Sequence, residues 1–377
     1  MNRSRRPVFF AIVVAVVALV VGVLVIRDST SEPPRARELT CLGGSEKSAF
    51  MADSEVRAVL REDYGIAVRF EERGSYDMVQ IPTEQLRSRA IDCLWPASAS
   101  ARSVFEESHD TDDFPGYRAE SVLETPEVIY AGAAATEALI RAGLVTRRDD
   151  AYYLVDFQRL LLDYVLARAK WDVLATDEPA GPIRITSTDP ESSNSGFTLL
   201  QLELTVIASG DVYQPPTVEE ARSGLPTVRA LYDAQGLQSA GSDGGFREWL
   251  IQGASSLYAG YESQILQQLV AYHDNASATD ALVANARMLY PEPTLFNSNP
   301  LLTLSEPARE LIPALQDPRI QDIAWKRYGF RSATRLGAVQ AADFPQIPLA
   351  AQPRATTPPR ADVTQLLLAC LRDNRCD

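Results

Sequence analysis

The residues best suited to chemistry here are small, hydroxylic and repeatedly placed where a strand-like run gives way to a helical one. The richest case spans 183–203. Ile183 and Ile185 read as the end of a strand, Asp189-Pro190 breaks the chain direction, and Ser192-Ser193-Asn194-Ser195-Gly196 forms a loop before the apolar helical pattern from Phe197. At such a junction the first helical N–H groups lack partners and the helix dipole favours negative charge. Serine and asparagine donors can then complete an anion site without a cationic side chain. The same residues are the usual N-caps, so each junction taken alone also reads as an ordinary cap.

The pattern recurs. Gly43-Gly44-Ser45-Glu46-Lys47-Ser48, Arg73-Gly74-Ser75 and Trp95-Pro96-Ala97-Ser98-Ala99-Ser100 each follow a strand-like run and precede a helical one, and Tyr261-Glu262-Ser263 opens another helix. In open α/β sheets ligands gather beyond the carboxyl ends of strands, where such turns converge. Together these turns predict capture of a small anion or polar molecule. The opposing reading is a set of caps scattered over unrelated surfaces.

Other chemistries find less support. His109 and His273 are far apart in polar surroundings and read as surface residues, without the converging partners of a triad or metal site. Asp110, Asp112 and Asp113 lack the glycine and terminal glutamate of a calcium loop. Gly241-Ser242-Asp243-Gly244-Gly245 has no Walker lysine and reads as a flexible turn. There is no Gly-x-Ser-x-Gly elbow for a serine hydrolase and no Cys-x-x-Cys for a metal. Neither an enzyme activity nor a cofactor is expected.

The elements that must position the turns alternate. Strands are predicted near 39–42, 66–70, 90–95, 127–131, 183–186, 255–261 and 286–290, separated by helical patterns, which indicates α/β architecture with open, mainly parallel sheets. Ala133 to Ala175 reads as mostly helical, with Phe157 to Leu166 as core packing; Gly329 reads as a helix C-cap, and Val363 to Leu371 as a short amphipathic helix. Ala341 to Asp362, rich in proline, reads as a strap.

Val8 to Ile26 is an unbroken apolar run preceded by Arg3, Arg5 and Arg6. It is long for a signal-peptide core and ends without a small-x-small site, so a retained single-pass anchor is expected, with the remainder outside the cytoplasm. Residues 28–38, with Pro33-Pro34, read as a linker after the anchor segment 1–27. Outside the membrane disulfides persist. Cys370 and Cys376 flank a short loop and are the expected pair, whereas Cys41 and Cys93 are either bridged or simply buried. The 377 residues suffice for two lobes, and a net charge of −14 argues against nucleic acid as a partner.

Taken with Gly43 to Lys47, Arg73-Gly74-Ser75, Asp92-Cys93-Leu94-Trp95-Pro96, Thr188-Asp189-Pro190, Ser193 to Gly196, Tyr261-Glu262 and Tyr290-Pro291-Glu292-Pro293-Thr294, the chain resembles extracellular solute-binding proteins of the two-lobed, two-crossover type. Within that group it is similar to the molybdate, tungstate and sulfate binders, and more narrowly to bacterial substrate-binding-like domains found beside von Willebrand factor A domains. The resemblance covers about 39–372. It implies a type 2 periplasmic-binding fold with two hinge crossovers, one lobe from 39–126 plus 291–377 and the other from 127–290. It also implies closure about a ligand held by Ser45, Ser75, Ser195 and Tyr261 with Asn194 beside them. Ser98, Ser193, Glu46, Lys47 and Glu262 complete the candidate set, although the two carboxylates would repel a dianion if they faced it. The implied partner is an ABC permease or an envelope signalling protein; the alternative is an adhesion or signalling module that keeps the fold without a transport ligand.

Overall fold

Leu39, Cys41 and Leu42 leave their strand no polar face to give to water, so β1 (Arg37–Gly43) lies inside a sheet. The structure is a computed structural model that describes residues 36–148, 152–176, 179–209, 211–236, 238–253, 257–334 and 341–376. The Val8 to Ile26 run and most of the linker lie outside the described residues. Among the described residues no helix is long and apolar enough to cross a membrane.

In chain order β1 is followed by β2 (Ile66–Glu72), β3 (Cys93–Trp95), β4 (Arg118–Ser121), β5 (Leu123–Ala131), β6 (Val145–Arg148) and β7 (Tyr152–Val155). Then come β8 (Ile185–Thr186), β9 (Leu257–Tyr261), β10 (Arg287–Pro291), β11 (Phe296–Asn297), β12 (Pro300–Thr303) and β13 (Arg331–Ser332). They form two sheets, ordered β2-β1-β3-β12-β4 and β6-β7-β10-β5-β9-β8, with β11 and β13 also paired to β5.

Both sheets are mixed, which corrects the expectation of mainly parallel pairing. Parallel pairs are β1 with β2 and β3, β7 with β10, and β8 with β9. β12 runs antiparallel to β3 and β4, and β5 runs antiparallel to β9, β10, β11 and β13. The cause is the crossing itself. β5 carries the chain out of the first sheet's neighbourhood and β11–β12 bring it back, so each opposes strands laid down in the other sense.

A second correction concerns 133–175. Among the described residues helix covers Ala133–Arg141, the segment from Phe157 and a short turn at Trp171–Leu174, and β6 and β7 form an antiparallel hairpin between the first two. The β-branched and aromatic run Tyr152-Tyr153-Leu154-Val155 carried that signal. Phe157, Leu160, Leu161 and Val165 are core residues, as expected.

The helices used below are α1 (Ser75–Val79), α2 (Ala99–Ser108), α3 (Asn194–Ser209), α4 (Val218–Gln235), α5 (Ser242–Ile251), α6 (Glu262–Ala271) and α7 (Ala361–Asp373). α3 is buried from Asn194 to Val206, and a helix buried on every side belongs between two cores. Phe197, Leu200 and Leu204 join Leu42, Tyr76 and Leu94, while Leu199, Leu202 and Val206 join Ile129 and Ile185. Each set repeats at helical spacing. α7 enters the first of these cores through Val363, Leu367, Leu368 and Leu371, between Phe105 of α2 and Leu225 of α4.

Cys370–Cys376 is bridged as the spacing suggested. Cys41–Cys93 is bridged as well, its cysteines opposite each other on β1 and β3. Gly329 ends the helix Pro318–Tyr328 at φ 66°, where a left-handed residue is required. Phe344, Ile347, Leu349 and Ala350 pin the proline-rich strap to the core around Tyr290 and Trp325.

Candidate functional site

Turns from both sheets meet around a cavity of about 500 Å³. One wall comes from the ends of β1 and β2: Gly44, Ser45, Glu46, Glu72, Arg73, Gly74, Ser75 and Asp77. The other comes from the loops before α3 and α5: Ser192, Ser193, Asn194, Ala240, Gly241 and Ser242. The walls come close at two glycines. A Cβ on Gly74 would stand 2.3 Å from the Ser192 carbonyl oxygen, and one on Gly241 3.3 Å from Ser45 Oγ. Only a residue without a side chain lets the Gly74 turn approach so closely.

The first wall is charged. Glu46 lies against the Lys47 ammonium, which is fully buried over the Trp95 ring; burial pushes its pKa down while Glu46 pulls the other way. Asp77 pairs with Arg372 of α7 at 2.7 Å. Glu72 accepts a hydrogen bond from Ser48, and Arg73 is exposed with no ion-pair partner among the described residues. Arg73 is therefore the cation on this wall that is free to meet a solute.

The second wall is uncharged. Ser193 Oγ and Ser195 Oγ each lie 3.0 Å from Ser242 Oγ, and Thr188 Oγ1 lies 2.7 Å from Ser195 Oγ while accepting from the Gly196 N–H. Asn194 donates to Asn297 Oδ1 at 2.7 Å and lies 3.1 Å from the Tyr261 hydroxyl, and its own Oδ1 is buried without a partner among the described residues. That oxygen can accept a hydrogen bond from a donor on a solute.

Beneath the cavity the walls are joined by amides. Lys47 donates to Asn299 Oδ1 at 2.9 Å, Asn299 donates to the Asn297 carbonyl at 2.9 Å, and Asn297 donates to Glu127 Oε2 at 3.1 Å. Burial pushes the Glu127 carboxyl well above the usual carboxylate range, against the Asn297 hydrogen bond.

Of the ten residues singled out from the sequence, Ser45, Glu46, Ser75, Ser193 and Asn194 line the cavity; the other five do not. Lys47 sits under Glu46. Ser98 caps α2 by accepting from the Ala101 N–H and faces Tyr76. Ser195 lies behind Ser193 and Ser242 in the hydroxyl cluster. Tyr261 is buried beneath Asn194, with its hydroxyl pKa raised by burial first and by the charge of Glu46. Glu262 points away from the cleft into a pair with Arg331, held by two hydrogen bonds of 2.7 and 2.6 Å, with Tyr290 donating to it as well. Burial opposes the Arg331 charge, yet Glu262 beside it outweighs that cost and holds the guanidinium pKa above its usual value.

Three lining features had been passed over. Gly241-Ser242, read as part of a flexible turn, starts α5 and faces Ser193. Arg73 belongs to the Arg73-Gly74-Ser75 turn, whose sequence points to Ser75 and not to its arginine. Asp77 gave no signal, because its partner Arg372 is 295 residues away. His109, expected on the surface, is half-buried with its ring nitrogens 3.1 and 2.9 Å from the Phe105 and Ile81 carbonyl oxygens.

No protein-family model and no curated protein matches the chain. Solved structures do. A ferric binding protein from Campylobacter jejuni matches at 12% identity and TM-score 0.55, over 89% of this chain and 99% of that one. The sulfate-binding protein SubI from Mycobacterium tuberculosis H37Rv matches at 14% identity and TM-score 0.52, over 86% and 95%. A periplasmic thiamin binding protein matches at 11% identity and TM-score 0.56, over 91% and 98%. At these identities the likeness defines the architecture: the chain has the type 2 periplasmic-binding fold.

Proposed function

We propose that the chain is a solute-binding protein of the cell envelope. In this reading it holds a small anion or polar solute between the two walls and presents it to an ABC permease or an envelope signalling protein, without catalysing a reaction. The first lobe is 39–126 with 291–377 and the second 127–290, joined at β5 and β11, and Val8 to Ile26 tethers the domain to the membrane. The observation that carries this is the meeting of turns from both sheets on one cavity of about 500 Å³ lined by serine hydroxyls and turn amides. Arg73 supplies the charge for an anionic group, and Asn194 Oδ1 takes a donor on the same solute.

Thermal unfolding with sulfate, phosphate, molybdate, ferric citrate, thiamin, amino acids and sugars tests the reading. A true ligand at about 100 times its dissociation constant adds roughly 2.7 kcal/mol of stability. For an anionic solute at the same concentration that gain should fall to roughly 0.4–1.4 kcal/mol in Arg73→Gln.

One feature favours the alternative of a signalling or adhesion module. Behind the cavity the walls share an apolar core, with Tyr76 and Phe197 rings 4.1 Å apart, and Arg372 grips both Asp77 and the Glu191 carbonyl oxygen. No response to any solute in the panel would leave that reading standing and remove the transport one.

A further inference from the structure

A separate cavity of about 360 Å³ lies among the helical segment Leu160–Val165, β8, α3 and α4. Val165, Leu166, Ile183, Ile185 and Leu231 give it apolar walls. Glu203 of α3 also lines it, is only 1% exposed, and has Oε2 buried without a hydrogen-bond partner among the described residues. A carboxyl set into an apolar wall with no donor supplied by the fold is unfavourable, and a partner from outside relieves that cost. Burial alone pushes its pKa up to about 8.

We propose that this cavity is a second binding site for a small molecule with an apolar body and a primary ammonium head, the head pairing with the Glu203 carboxylate. The volume lies near the lower end for small-molecule sites, which points to a short chain or single ring. Arg168 and Arg184 line the same cavity and are exposed, so an anionic group at the ligand's far end meets a cation. These are the charged groups that share the cavity with Glu203; α4 contributes neutral residues to it, among them Thr227 and Gln235. The site is independent of the cleft between the walls.

Calorimetric titration of the full chain with hexylamine, hexanol, hexanoate and ω-aminohexanoate tests it. Hexylamine should bind at least about tenfold tighter than hexanol, and ω-aminohexanoate tighter still. Hexanoate, which lacks the ammonium head, should bind at least about tenfold more weakly than ω-aminohexanoate. Glu203→Gln should weaken hexylamine at least about tenfold while leaving the circular dichroism unchanged. Ala230→Trp, at an exposed lining residue, should block binding without touching the carboxyl. Because the ammonium displaces a proton from Glu203, affinity should rise about tenfold between pH 6 and pH 7. Equal affinity for hexanol, unchanged binding in Glu203→Gln, a flat pH profile, or no hexylamine binding at millimolar concentration would each overturn the proposal.

Discussion

The two walls of the cleft do different work with different chemistry. The β1–β2 wall carries Glu46, Glu72, Arg73 and Asp77, whereas the wall before α3 and α5 offers only hydroxyls, amides and backbone. Glu262, which opens α6 and does not line the cavity, is turned away from it and tied to Arg331. In the proposed reading, charge on one side and neutral hydrogen bonding on the other let a solute be selected by Arg73 and then enclosed without a second charge to desolvate.

The largest test removes the partner that ties Glu262 away from the cleft. Arg331→Met leaves Glu262 buried and unpaired, and breaking a buried pair in this way costs about 3–5 kcal/mol. Urea unfolding measures it, and a loss below about 1 kcal/mol would mean that Glu262 does not depend on Arg331 for its buried place. Next, Arg73→Gln removes the free cation of the charged wall. Loss of a charge-assisted hydrogen bond of about 1.5–3 kcal/mol should weaken an anionic ligand roughly tenfold to a hundredfold. Unchanged affinity in titration calorimetry would shift selection to the neutral wall.

A third test addresses the seam. Burial holds the folded pKa of Glu127 well above the ordinary carboxylate range, so the folded chain keeps a proton that the unfolded chain sheds. Its contribution is fully present at low pH, and stability falls by up to about 1.4 kcal/mol per pH unit as pH rises through the window between the two values. Glu127→Gln abolishes that slope, so its melting-temperature advantage over the parent should grow from pH 5 to pH 7. An equal difference at both pH values would show that the carboxyl does not hold its proton. The smallest effect belongs to Ser193→Ala, one neutral hydroxyl among several, which should weaken binding by about 0.5–1.5 kcal/mol by the same calorimetry.

What could be read from the sequence follows the range of each interaction. Gly44-Ser45, Gly74-Ser75 and Ser193-Asn194 announce themselves because a cap, a turn and a helix start are all encoded within a few residues. Cys370–Cys376 and the Gly329 cap are local in the same way. Glu262 was misplaced because its partner is 69 residues distant, and nothing next to it signals an arginine. Ser195 and Tyr261 have the right chemistry but stand one layer too deep, a distinction that depends on packing across α3, α5 and α6. Gly241-Ser242 was missed since glycine-rich stretches encode both mobile turns and tight helix starts, and only the opposing Ser45 decides which. The antiparallel strands were illegible for a related reason: their direction depends on where the chain crosses between sheets.

The placement of α7 has a further consequence for traffic through the cleft. Any widening must slide Phe197 off Tyr76, wet side chains that α2, α3 and α4 now share with the last helix, and release Arg372 from one bank or the other. In the proposed reading, solute exchange is thereby coupled to movement of the C-terminal helix, which serves as the bolt on the gate.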